Sequence, residues 1–79
     1  MKKKVMLYTA PACPFCMIIK NYLVQNGIKP VEIDISKDKK AKAEMEKKSG
    51  QSNVPVTEIS GAVIVGYDIR KIKQALGQL

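Results

Sequence analysis

Val5-Met6-Leu7-Tyr8-Thr9-Ala10-Pro11-Ala12-Cys13-Pro14-Phe15-Cys16 joins an apolar run to a pair of cysteines through a short proline-bearing break. The run Val5-Met6-Leu7-Tyr8, ended by Thr9-Ala10-Pro11, fits a buried central strand feeding a loop. Beyond the loop, Phe15, Ile18, Ile19, Tyr22 and Leu23 recur at helical steps, and Gly27 after Asn26 is a left-handed stop. The spacing therefore predicts a helix over 14–26 whose first turn holds the cysteines. A disulfide between Cys13 and Cys16 would close almost no loop and restrain the unfolded chain very little, so a stapling role is weak. A lone C-x-x-C between strand and helix reads instead as a redox pair.

Thiol–disulfide exchange needs a thiolate to attack a disulfide and a second thiol to resolve the mixed disulfide that forms. At the start of a helix, unpaired backbone N–H groups and the positive end of the dipole favour the thiolate, which makes Cys13 the expected nucleophile. Cys16, one turn further in and more shielded, is the expected resolving thiol. Pro14 suits the first helical turn, where a missing N–H costs nothing, and stiffens the ring that closes on oxidation. Two other readings of the pair stand beside this one. The cysteines can be small buried fillers. They can also ligate zinc, but structural zinc wants four protein ligands, and two cysteines without histidine would require a dimer. No metal is expected in the monomer.

Further along, Val31-Glu32-Ile33-Asp34-Ile35 alternates as a strand with one buried face, close enough behind the helix for a right-handed βαβ unit and a parallel pairing. Ser36 or Asp38 can cap a helix over 38–48 with a thin apolar stripe of Ala41 and Met45. Val56-Thr57-Glu58-Ile59 and Ala62-Val63-Ile64-Val65, joined by Ser60-Gly61, predict a β-hairpin. Asp68 can cap a last helix with Ile69, Ile72, Leu76 and Leu79 on one face. The expected architecture is α/β: one domain over 1–79, βαβ then ββα, with a four-stranded mixed sheet flanked by three helices. Val54-Pro55 opens the third strand, and the residues alone leave its peptide bond open between cis and trans.

The net charge of +7, from 14 Lys and Arg against 7 Asp and Glu, is spread along the chain without interleaved aromatics. It reads as a solvated lysine-rich surface that suits acidic protein partners, not as a nucleic-acid footprint. No run is long enough to span a bilayer, and the start Met1-Lys2-Lys3-Lys4 leads into too short an apolar stretch for a signal peptide, so a cytoplasmic protein is expected. It is expected to be a monomer.

With the order of elements, Cys13-Pro14-Phe15-Cys16, Val54-Pro55 and Val65-Gly66-Tyr67-Asp68 together, the chain resembles a glutaredoxin of the thioredoxin superfamily over nearly its full length. Lys48-Ser49-Gly50-Gln51, Val54-Pro55-Val56-Thr57 and Ile64-Val65-Gly66-Tyr67-Asp68 are most similar to the short bacterial and archaeal glutaredoxin-like proteins. That group includes the redoxins that supply electrons to ribonucleotide reductase. The resemblance implies a thioredoxin fold and a cis Pro55 facing the cysteines, with the Val54 backbone pairing to a substrate's extended chain. It implies Tyr8 and Phe15 at the site rim, and Gly66, Tyr67 and Asp68 where glutathione's γ-glutamyl end is held. Beside this stand plain readings: an aromatic in a central strand is usually core, which is the favoured reading of Tyr8 and an equal one for Tyr67, and Asp68 can cap its helix as well as meet a ligand. The implied partners are disulfide-bearing proteins, ribonucleotide reductase among them, with no bound cofactor. Electrons would come from glutathione or from a flavoprotein of the thioredoxin-reductase type.

The chain departs from the glutaredoxin pattern in three places. Tyr8-Thr9-Ala10-Pro11 lacks the lysine many glutaredoxins carry after the strand-ending aromatic; Val65-Gly66 replaces a double glycine; and Asp68-Ile69 replaces paired aspartates. Each lost charge-assisted contact to glutathione would cost about 1.5–3 kcal/mol, tenfold or more in affinity, which tilts the expected donor toward the flavoprotein. The resemblance also carries a rival of another class, a dimer holding an iron–sulfur cluster or metal between paired Cys13 thiolates. Pro14 speaks against it, because cluster-carrying relatives more often have glycine there.

Overall fold

Alternation along β1 (Val5–Thr9) sends apolar side chains to both faces of a sheet, and both faces are covered. The computed structural model describes residues 4–77. Its elements run β1, α1 (Pro14–Gln25), β2 (Val31–Asp34), α2 (Lys39–Ser49), β3 (Val56–Ile59), β4 (Ala62–Val65) and α3 (Ile69–Ala75). The strands form one sheet in the order β2-β1-β3-β4, with β1 and β2 parallel and the other pairings antiparallel. This is the expected mixed sheet with three helices. Leu79 and the start Met1-Lys2-Lys3 lie outside the described residues.

Register separates the two layers of the core. Leu7 lies opposite Thr57 and Glu32, and on that face Val5, Leu7, Ile59 and Ile64 pack against Ile19 and Leu23 of α1 and Ile72 of α3. Tyr8 lies opposite Val56, and on the other face both pack with Ile35 against Ala41 and Met45 of α2. The thin stripe expected for α2 is thus its buried face. Its docking is reinforced by Lys48, whose ammonium donates to the Tyr8 hydroxyl at 3.2 Å and to Glu58 at 2.8 Å. Hydrogen bonding to Glu58 and then to Tyr8 raises the Lys48 pKa above the ordinary lysine range.

Local signals set the ends. The Asp38 carboxylate, not Ser36, accepts from the Ala41 N–H at 3.0 Å as the cap of α2. Ser36 instead donates through both N–H and hydroxyl to Asp34, which holds that carboxyl below its usual range. The hairpin turn has positive φ at both central residues, 49° at Ser60 and 92° at Gly61, the geometry that matches strand twist in a two-residue loop.

Two apolar stripes are wider than the surfaces they bury. In α1, Cys16, Ile19 and Leu23 are buried, whereas Phe15 and Ile18 stand exposed on the flank of the helix. In β2, Val31 is exposed and Ile33 half-buried, and burial is complete only at Ile35, just past the strand. β2 is an edge strand, and the α2 layer closes over its later residues alone.

Candidate active site

The loop between β1 and α1 turns sharply enough that Ala12 takes a left-handed φ of 58°, uncommon for a residue with a Cβ. No sequence signal marks it, since alanine does not favour that region. The turn delivers Cys13 as the N-cap of α1 in extended conformation, with Pro14 following in the first helical turn. Cys13 Sγ accepts a hydrogen bond from the Cys16 N–H at 3.2 Å, so the sulfur takes the place that a serine or aspartate oxygen usually fills at a helix start. The two cysteines are disulfide-bonded, with Cα atoms 5.3 Å apart. They are unequally exposed: Cys13 is half-buried at the mouth of the loop, whereas Cys16 is only 4% exposed beneath it.

On one side of the pair, three predicted elements converge. The Phe15 ring stacks on Tyr67 with centroids 5.3 Å apart and planes at 26°, and both rings are about half exposed, at 51% and 52%. Gly66, at a φ of 78°, donates its N–H to the Pro55 carbonyl at 2.9 Å, tying the segment before α3 to the loop before β3. No atom would meet a Cβ at Gly66, so its conformation and not close approach calls for glycine. The Val54–Pro55 peptide bond is cis, and Val54 precedes the ladder that begins at Val56. Asp68 accepts from the Lys71 N–H at 3.1 Å as the cap of α3.

Tyr8 is a core aromatic, as a central strand favours, and does not stand at the rim that the resemblance implies. Its side chain is fully enclosed between the sheet and α2, with the hydroxyl held by Lys48. The alternation of β1 explains this, because Tyr8 shares a face with Met6, and that face is roofed by α2.

On the other side of the cysteines lies an open cleft of about 580 Å³, lined among others by Thr9, Ala12, Cys13, Cys16, Lys20 and Glu32. Lys20 and Glu32 in its lining pair at 3.0 Å, both nearly half exposed. The sequence held a signal for this. In Val31-Glu32-Ile33 the acidic residue points away from its apolar neighbours, toward the face that α1 occupies. Among the described residues no group of three or more His, Cys, Asp or Glu side chains comes together, and no helix is long and apolar enough to cross a membrane.

Residues 5–64 match the protein-family model described as Glutaredoxin. Over 72 residues the chain is 36% identical to an uncharacterized glutaredoxin-like 8.6 kDa protein in the rubredoxin operon of Clostridium pasteurianum, covering 91% of this chain and 96% of that one. It is 35% identical over 75 residues to a glutaredoxin of Neisseria meningitidis serogroup B, covering 92% and 88%. Among solved structures it superposes on the thioredoxin-like protein BC3987 with a TM-score of 0.86 at 34% identity, covering 92% of this chain and all (100%) of that one. A glutaredoxin from Archaeoglobus fulgidus gives 0.83 at 27% identity, covering 92% and 85%.

Proposed function

The chain belongs to the glutaredoxin family, and from that premise we propose that it is a dithiol electron donor that reduces disulfides through attack by Cys13 and resolution by Cys16. The observation that carries this reading is the unequal exposure of the pair at a helix start. In the reduced protein the Cys13 sulfur sits where the N–H of Cys16 and the helix dipole favour a thiolate, and solvent reaches it. Its attack on a substrate disulfide forms a mixed disulfide and releases one substrate thiolate. The Cys16 thiolate then attacks Cys13 Sγ, closes the protein disulfide and releases the second. Two electrons leave the dithiol and reduce one disulfide, after which an external reductant must restore the dithiol.

Protein disulfides are the substrates this reading favours, held by backbone pairing along Val54, with the Phe15–Tyr67 stack offering an apolar shelf beside Cys13. A flavoprotein reductase is favoured over glutathione as the donor. The stretch Tyr8-Thr9-Ala10-Pro11 without a lysine and the single aspartate of Asp68-Ile69 leave fewer charged contacts for glutathione. The cytoplasm is the compartment where such a dithiol is kept reduced.

Substitution separates the two roles. Cys13→Ser is expected to abolish reduction of insulin disulfides driven by dithiothreitol, while Cys16→Ser retains the first step and accumulates a mixed disulfide visible by mass spectrometry. Full turnover by Cys13→Ser would remove the mechanism. Offering the oxidised protein separately to glutathione with its reductase and to a thioredoxin reductase, and following NADPH, tests the donor.

A further inference from the structure

The loop from α2 to β3 ends on Val54, and one side chain in it is wholly engaged in holding the backbone just before that residue. Gly50 closes α2 in a left-handed conformation, at a φ of 74°, and Gln51 follows, half-buried. Gln51 Oε1 accepts the Asn53 N–H at 2.7 Å, and its Nε2 donates to the Asn53 carbonyl at 2.9 Å and to Ser49 Oγ at 3.3 Å. The acceptor and both donors of the amide are thereby used, and the reverse orientation would set donor against donor at the Asn53 N–H. Ser49 is anchored in turn, since its hydroxyl donates to the Met45 carbonyl at 2.6 Å within α2.

The Asn53 carbonyl belongs to the peptide unit that carries the Val54 N–H. That unit is trans, so its C=O and N–H point in opposite directions. Anchoring the carbonyl on Gln51 therefore turns the Val54 N–H away from Gln51. Val54 is held on its other sides too: its side chain packs against the cluster of Tyr8, Met45 and Val56, and the Pro55 carbonyl accepts from Gly66. Among the described residues no hydrogen bond engages the N–H or the carbonyl of Val54 itself.

We infer that Gln51 is a positioning residue for substrates that carry a peptide backbone: its amide fixes the plane of the peptide unit between Asn53 and Val54, so that the Val54 N–H stands free and oriented for a carbonyl of the incoming chain. This role rests on the reading of Val54 as the segment to which the substrate's chain adds, and it names what prepares that segment. Ser52 and Asn53 are exposed, and hydrogen bonds open to water contribute little to stability, so the value of the clamp lies in orientation. Without it the peptide unit is free to turn, and binding has to order it first.

The test uses the pre-reduced protein freed of reductant, so that one oxidation is followed by quenching, alkylation and mass spectrometry. Its substrates are the disulfide-linked dimer of a short one-cysteine peptide and the same dimer with esters in place of the amides flanking the cysteine. The esters remove the N–H donors and weaken the carbonyl acceptors while keeping the shape. The native protein is expected to be half-saturated by the amide peptide at a concentration about fivefold or more below the ester peptide. Gln51→Met removes the whole clamp. Gln51→Glu keeps an acceptor for the Asn53 N–H but turns a carboxylate oxygen against the Asn53 carbonyl. Both are expected to bring the ratio near one by raising the half-saturating concentration of the amide peptide, with the effect falling on that concentration and not on the limiting rate. A ratio taken within one protein does not depend on how much of it is folded. Retention of the native ratio in either variant, or a fall in the limiting rate for both peptides alike, would overturn the positioning role and leave backbone pairing intact. No preference in the native protein would overturn the pairing at Val54 and the inference with it, and failure of both peptides to oxidise the dithiol would overturn the redox reading as well.

Discussion

Thr57 occupies the middle of the sheet, 0% exposed, and its hydroxyl is the buried side-chain polar atom that finds no hydrogen-bond partner among the described residues. It lies between Leu7 and Ile64 in register, in surroundings where a methyl group would fit as well as an oxygen. A buried polar group without a partner carries a desolvation cost that an apolar group of the same shape avoids. Thr57→Val is therefore expected to stabilise the fold by about 1 kcal/mol, which in a domain of this size raises the thermal midpoint by several degrees. Calorimetry of the two proteins in the same redox state checks this, and a lower midpoint for the variant would show that the hydroxyl has a use in the fold. The cysteines present the opposite case at the same scale. Cys13 has a partner in the Cys16 N–H because it stands at a helix start, and the type of residue at that position matters more than its burial.

At the scale of elements, α2 is the instructive one, because most of its surface is charged and its buried stripe consists of Ala41 and Met45. Lys48 adds a polar tether from α2 to β1 through Tyr8 and to β3 through Glu58. The folded state holds the Lys48 proton more tightly than the unfolded chain does, the larger cause being Glu58. Its contribution is accordingly complete below the unfolded lysine pKa of about 10.4 and fades as the pH rises above it. The urea midpoint of the native protein should exceed that of Lys48→Met at neutral pH, and the gap should close progressively above about pH 10.4. A gap that stays constant across that range would mean that Lys48 acts through its packed methylenes alone. This tether joins residues 40 positions apart, and nothing in the local pattern around Lys48 or Tyr8 announces it. The elements themselves were legible from period and local signals: Pro14 and Gly27 around α1, a cap at Ser36 or Asp38 before α2, Ser60-Gly61 between β3 and β4. Which edge of an apolar stripe would be covered was not legible. Phe15, Ile18 and Val31 fit the period yet face outward, because coverage depends on where the neighbouring layer ends.

At the scale of the molecule, the topology places the end of central strand β1, the start of α1 and the loops before β3 and α3 together at one end of the sheet. The site is assembled from segments distant in the chain: Phe15 meets Tyr67, and Gly66 meets Pro55. The sequence named these residues through a family resemblance, and the cysteine pair through chemistry alone. The left-handed turn at Ala12 emerges only when the loop is folded against α1, whereas Glu32 is marked in the alternation of β2 although its meeting with Lys20 is not. The whole arrangement gives Cys13 access to solvent and electrostatic favour while sheltering Cys16, and alkylation measures both. The fully reduced protein, treated with iodoacetamide across pH and mapped by mass spectrometry, is predicted to react first at Cys13, with a midpoint well below the ordinary thiol value of about 8.5. Faster modification of Cys16, or a Cys13 midpoint at that ordinary value, would contradict it.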